Sequence, residues 1–227
     1  MNRLRSQGFT LTELLVAVAI GLIVFAGVIT FYVSTARTGT ESLKIAKLNQ
    51  YLRTTMDLMV SDIRRAGFWA APSNQYRSNA SGFLTNASIQ PGNDIATGNR
   101  AGEPANSCIT YTYDTNKNGT IGTGGSPLER FGFRLNSKKL EMRQSGTNSP
   151  FTCNNGTWNS MIDDIEVSSL VFTLNTSAYS NPYGELSTKD VRIRTVTITV
   201  TGNLKTDPAI ARTLSETVRV RNDKFGT

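Results

Sequence analysis

The sequence predicts an α+β fold in which one long N-terminal helix packs on a C-terminal antiparallel β-sheet. Three observations predict it: an uncharged, mostly apolar run from Leu14 to Val33, an amphipathic continuation with helical spacing to about Ala66, and a change to period-two alternation from Cys108 onward.

The apolar run comes first in the chain. Residues 14–36 contain no charged side chain, and at about 1.5 Å per helical residue the 20 positions from Leu14 to Val33 reach roughly 30 Å, the thickness of a bilayer's hydrocarbon core. Arg3 and Arg5 precede the run, so the positive-inside bias places the N-terminus in the cytoplasm and the remainder outside. A cleaved secretory signal has a shorter apolar core of about 7–15 residues. A plain signal anchor has the right length but no use for Glu13, because an ionisable group at the membrane margin costs free energy unless it is paired.

Beyond Val33, Ile45, Leu48, Leu52, Met56, Met59 and Ile63 recur at spacings of three and four, which puts them on one helical face. Lys44, Lys47, Arg53, Asp57 and Arg64 fall largely on the solvent side. Gly21, Gly27 and Gly39 weaken the helix locally, as bends or as points of close helix contact. Gly67 and then Pro72 supply its stop. Residues 71–107 are rich in Asn, Ser, Gly and Ala and read as a long polar loop with one short element, a place for partner contacts.

The strands follow. Ile109, Tyr111 and Tyr113 alternate with polar residues, as do Phe131, Phe133 and Leu135. A two-residue turn at Asn136 and Ser137 sets Phe133 opposite Leu140 and Phe131 opposite Met142. Further strands are predicted near Ile165–Leu174, Val191–Thr201 and Leu214–Val220. In the second of these the apolar positions change from odd (Val191, Ile193) to even (Val196, Ile198, Val200), which predicts a bulge near Arg194 and Thr195.

The composition weakens most catalytic readings. There is no histidine, which removes the commonest general base and metal ligand together with every Ser/His/Asp or Cys/His arrangement. Asp163 and Asp164 point to opposite sides of an extended chain and form no acid/base pair. The 24 Lys and Arg against 17 Asp and Glu give a net charge of +7 without a basic block, so a nucleic-acid module is not indicated. Arg192 with Arg194, and Arg219 with Arg221, share strand faces, and a solvated sheet surface explains them more simply than phosphate binding. Asp114, Asn116 and Asn118 resemble the first half of a calcium loop, but Gly125 stands where the bidentate Glu belongs, and a polar hairpin turn is the simpler reading. Cys108 and Cys153 form one disulfide if the domain lies outside the reducing cytosol, or else remain two buried thiols.

The order Gly8, Phe9, Thr10, Leu11, Thr12, Glu13 resembles the processing site of type IV pilins and type II secretion pseudopilins. The resemblance implies cleavage by a membrane peptidase after Gly8, methylation of the new amine on Phe9, and a role for Glu13 in neutralising the amine of a neighbouring subunit during assembly. Further stretches resemble the PilW family of minor pilins: "DIRRAGFWA" at 62–70, "CITYTYDTNKNG" from 108, "ERFGFRL" from 129 and "TLSETVRVRN" ending at Asn222. Such a protein is a non-enzymatic subunit of a pilus-initiating or tip complex. Its partners are other minor pilins, the major pilin, an adhesin-like tip protein, prepilin peptidase and inner-membrane assembly machinery. The chain then divides into a leader (1–8), an assembly helix (9–36), an amphipathic helix (37–70), a polar loop (71–107) and a sheet domain (108–227). It is stored in the inner membrane with its C-terminal domain in the periplasm, and it needs no cofactor. A pseudopilin and a membrane-anchored module binding calcium or DNA are the alternatives.

Overall fold

The computed structural model describes residue 8 and residues 10–68, 94–117, 129–145, 152–179 and 191–225. The order of elements is α1 (Leu11–Ile63), β1 (Ala96–Gly98), β2 (Cys108–Thr112), β3 (Arg130–Asn136), β4 (Lys139–Ser145), β5 (Thr157–Ser160), β6 (Ile165–Tyr179), β7 (Val191–Leu204), β8 (Asp207–Arg219) and β9 (Lys224–Phe225). The α+β layout predicted from the sequence is observed. Most of the loop assigned to 71–107 lies outside the described residues, and β1 is the short element at its end.

α1 passes through two compact units, residues 1–46 and 47–227. In the first, the helix continues unbroken through Gly21, Gly27 and Gly39, and its large apolar side chains, from Leu11 to Val33, are exposed. This segment is long and apolar enough to cross a membrane. In the second unit the amphipathic face does what its spacing predicts: Leu48, Leu52, Met56, Met59 and Ile63 are all buried. Gly67 ends the turn that follows with φ +73°, a left-handed conformation that glycine adopts without a Cβ penalty.

The strands form two sheets where the sequence suggested one. Strands β1 to β5 make an antiparallel meander in chain order, and β6-β7-β8, with β9 also on β7, makes the second sheet. Backbone bonds from Val167 N–H to Lys138 O and from Phe172 N–H to Asn106 O, both 2.8 Å, attach β6 to loops of the first sheet. A single apolar core joins the helix face to both sheets, through Ile109, Tyr111 and Phe133 on one side and Phe172, Val196, Ile198 and Val200 on the other.

Two local predictions need correction. The β3–β4 turn is Ser137–Lys138, both at positive φ (49° and 63°), and the register pairs Phe133 with Met142 and Leu135 with Leu140. A primed two-residue turn needs positive φ at both central positions, and here two residues without a glycine adopt it. Moving the turn by one residue changes each cross-strand partner by two, so the apolar side chains keep their common face. Nor is there a bulge in β7 at Arg194: its pairing with β6 is continuous there, Arg194 opposite Thr176 and Thr195 opposite Asn175. Arg194 is itself buried and continues the inward row of Val196, Ile198 and Val200. Its guanidinium pairs with Asp94 and donates to the Asn222 carbonyl at 2.6 Å. An ion pair thus stands where the alternation rule expects an apolar side chain.

Cys108, at the start of β2, is disulfide-bonded to Cys153. On the same side of the first sheet, Arg134 pairs with Glu141 at 2.7 Å and lies 4.4 Å over the Trp158 ring. Trp158 fits there because residue 132 is glycine: a Cβ would come within 3.0 Å of its ring and 2.6 Å of the Ile109 carbonyl. The bridge spans a sequence separation of 45, for which the chain-entropy model gives about 4 kcal/mol. The Cys108→Ser/Cys153→Ser variant is therefore expected to lose about 3–4 kcal/mol of unfolding free energy in urea titration. The native protein should show no free thiol after non-reducing denaturation.

Candidate functional site

The first candidate site is the start of α1. Glu13 is in the first helical turn, and its Oε2 accepts the Thr10 amide at 2.9 Å and the Thr10 hydroxyl at 2.8 Å. The Glu13 amide in turn donates to Thr10 Oγ1 at 3.3 Å. Thr10 and Glu13 therefore form a capping box, each satisfying a backbone donor that the helix start leaves unpaired. The sequence signal for it is the Thr-x-x-Glu spacing of residues 10–13. Gly8 is exposed, and Phe9 lies outside the described residues. Cleavage after Gly8 would leave Thr10 with its amide, so the box survives processing.

A second cluster forms at the other end of the helix. Asp62 is buried, although its polar character suggests a solvent-facing position. It accepts the Tyr111 hydroxyl and, at 3.1 Å, the Tyr113 hydroxyl, and it pairs with Arg65 one turn on. Arg65 lies 4.8 Å over the Tyr113 ring, which stacks on Phe131 at 3.9 Å. Around this cluster the chain after the helix is held by backbone bonds: Gly67 N–H to Thr112 O at 2.8 Å, Asp114 N–H to Phe68 O at 2.9 Å, and Arg221 N–H to Arg64 O at 3.0 Å. The Asn222 amide donates to the carbonyls of Arg65 and Ala66 at 3.3 and 3.1 Å. The four stretches singled out beyond the leader, at 62–70, 108–119, 129–135 and 213–222, all contribute to this one place.

Burial first, and then the Asp62 carboxylate, push the Tyr111 phenol well above its ordinary range and raise that of Tyr113. A raised folded-state value means that the stabilisation is complete below the unfolded value of about 10 and is lost as pH climbs toward the folded one. Arg143 works in the opposite sense: burial and the charge of Arg130 push it down to about 10, so its contribution is lost as pH falls through that value. The comparison that isolates the phenols is therefore with Tyr111→Phe/Tyr113→Phe. From about pH 9 to about pH 11, the urea midpoint is expected to fall more steeply in the parent than in that variant.

The other predicted residues do not gather into a site. Asp114 is buried two residues beyond β2, Asn116 is exposed in the bend that follows, and Asn118 lies outside the described residues. Glu129 Oε1 accepts the Thr115 amide at 3.2 Å. Among the described residues no three acidic or sulfur ligands group to hold a metal. Asp164 accepts Lys47 Nζ at 3.0 Å and the Tyr51 hydroxyl at 2.8 Å in an exposed cluster, while Asp163 accepts the Ser160 hydroxyl at 3.1 Å. Arg194 is withdrawn from the predicted basic face by burial, and Arg219 pairs with Asp223 at 2.9 Å.

Comparison with known proteins agrees with this arrangement. The prokaryotic N-terminal methylation motif matches residues 3–29, which include Gly8, Phe9 and Glu13. A protein from Haemophilus influenzae described only as "Uncharacterized protein" is 32% identical over 111 residues, 43% of this chain and 45% of that protein, so the chain spans under half of that relative's length. No solved structure matches the chain. The family model for prepilin peptidase-dependent protein B matches residues 41–220, which covers the buried half of α1 and nearly all of both sheets. The chain belongs to this prepilin peptidase-dependent protein B family, and it is a type IV pilin-like protein.

Proposed function

We propose that this chain is a minor type IV pilin of the PilW kind, a structural subunit of a pilus-initiating or tip complex. The observation that carries this reading is the junction at the head of α1. There, a processing sequence ending at Gly8 leads directly into the Thr10–Glu13 capping box and an exposed apolar helix. Such a surface does not persist in water, and it suits first a bilayer and then a bundle of like helices. Prepilin peptidase removes residues 1–8 and the amine of Phe9 is methylated. The C-terminal domain faces the periplasm until the helix enters the filament, and Glu13 there meets the terminal amine of a neighbouring subunit. Other minor pilins, the major pilin, an adhesin-like tip protein and the inner-membrane assembly machinery are its partners. The role is structural rather than catalytic.

The decisive experiment is the amount of pilin sheared from the surface of a clean deletion strain, compared with its parent and a complemented strain. Loss of filaments restored by complementation is expected. Unchanged filaments with a depleted secreted proteome would instead identify a type II secretion pseudopilin. Intact mass is expected to show loss of residues 1–8 and gain of one methyl, whereas an uncleaved N-terminus would leave only a membrane-anchored binding module.

A further inference from the structure

β8 closes its sheet on one side only. It pairs with β7 from Leu204–Asp207 to Thr195–Arg219, and among the described residues no strand lies on its other side. From Ala211 to Arg219 the pairing runs without a register shift. Val220 N–H bonds Arg194 O at 2.9 Å, which fixes the phase of the antiparallel ladder. Residues 214, 216 and 218 direct their backbone groups toward β7, and Thr213, Ser215, Thr217 and Arg219 direct theirs outward. Between 211 and 219 there is no lysine, proline or bulge, and the charged side chains on the edge are Arg212, Glu216 and Arg219.

The grooves beside this edge differ in charge, the first carrying both signs and the second basic. A groove beside it is lined by Arg53, Met56 and Asp57 of α1 with Leu214, Ser215 and Glu216 of β8. A further one is lined by Arg64 with Thr217, Val218, Arg219 and Arg221. Arg219 is paired with Asp223, whereas Arg64 and Arg221 have no carboxylate partner among the described residues. A second copy of β8 is a poor occupant. The two-fold pairing that uses the whole 211–219 edge centres on Ser215 and sets Ala211 opposite Arg219 and Ala209 opposite Arg221, so it brings no carboxylate to these arginines.

We propose that the free edge of β8 takes up an extended, acidic segment of another polypeptide as an added strand, its carboxylates lying beside Arg64 and Arg221. The backbone groups of Thr213, Ser215, Thr217 and Arg219 provide the ladder, and the arginines select the charge. This inference is independent of whether the chain serves a pilus or a secretion system.

The test uses the full-length chain in nonionic detergent micelles and a fluorescent peptide of alternating valine and glutamate, read by anisotropy. A peptide with lysine for glutamate, and one with every second amide N-methylated, are the controls. The acidic peptide is expected to bind at least about tenfold more tightly than either control, and Arg64→Glu/Arg221→Glu should weaken it by about tenfold or more. Ser215→Pro removes an outward donor and keeps the backbone bonds to β7, losing toward that strand only the side-chain bond between Ser215 and Thr199, and should abolish binding. Its urea midpoint, compared with the parent's, checks that the fold persists. No binding at about 1 mM peptide, equal binding of the lysine peptide, or indifference to N-methylation would overturn the proposal. So would a dimer of the full-length chain that Ser215→Pro dissolves, since it would give the edge to a second copy.

Discussion

A chain carrying Glu13→Ala is expected to be cleaved and methylated as the parent is, yet to fall by about tenfold or more in sheared filaments, because the attraction it loses acts in a medium of low dielectric constant. The capping box makes the choice of variant important. Alanine removes two acceptor contacts to Thr10 along with the charge, so a loss of assembly could come from a frayed helix start. Glu13→Gln keeps an acceptor at N3 and removes only the charge. If charge pairing with a neighbour's amine drives assembly, glutamine should fail as alanine does. If capping is what assembly requires, glutamine should be incorporated normally, and Thr10→Ala should then be as defective as Glu13→Ala. Quantitative immunoblotting of the sheared fraction, with intact mass on the membrane-held pool, separates these outcomes.

The second large effect is expected at the far end of the helix. Asp62→Ala should lower the unfolding free energy by about 3 kcal/mol, since it leaves the hydroxyls of Tyr111 and Tyr113 without their acceptor. Tyr111 has no route to water, being fully buried. Arg65 is different: its side chain is 58% exposed, so water replaces its lost partner and it adds little to the penalty. The remedy follows from the same reasoning. Asp62→Leu combined with Tyr111→Phe and Tyr113→Phe removes donors and acceptor together and should recover much of the loss. Urea titrations of the single and combined variants measure the coupling, and simple additivity of the changes would show that the cluster is not an energetic unit.

The sequence disclosed what periodicity can carry. Leu48, Leu52, Met56, Met59 and Ile63 were legible because an apolar face repeats along one helix. Phe131, Phe133 and Leu135 were legible because a strand alternates. Asp62 and Arg194 were not, since a periodic rule assigns charged residues to solvent. Their partners, Tyr111 and Asp94, lie 49 and 100 positions away in the chain. Arg194 also produced a bulge that does not exist, because the rule saw a break in the apolar row where an ion pair continues it. Alternation likewise finds strands without saying which strands pair, so the division between β5 and β6 into two sheets was invisible. At the processing end the legibility was greater: Gly8, Phe9 and Glu13 are close enough to be recognised as a motif, and Thr10 with Glu13 carries the Thr-x-x-Glu signature of a capping box.

The attachment of the chain around Gly67 has a mechanical consequence. Tension carried along α1 enters the folded domain through the face buried from Leu48 onward and is taken up last where the helix ends. There, the bonds Gly67–Thr112, Phe68–Asp114 and Arg64–Arg221 distribute it at once to a strand of the first sheet and to the end of the second. Asn222, fastened to the Arg65 and Ala66 carbonyls of the turn after the helix and to Arg194, passes part of the same load into the first residues of β7. Pulling on the helix therefore strains a joint that both sheets share, and neither sheet is left to bear the force alone.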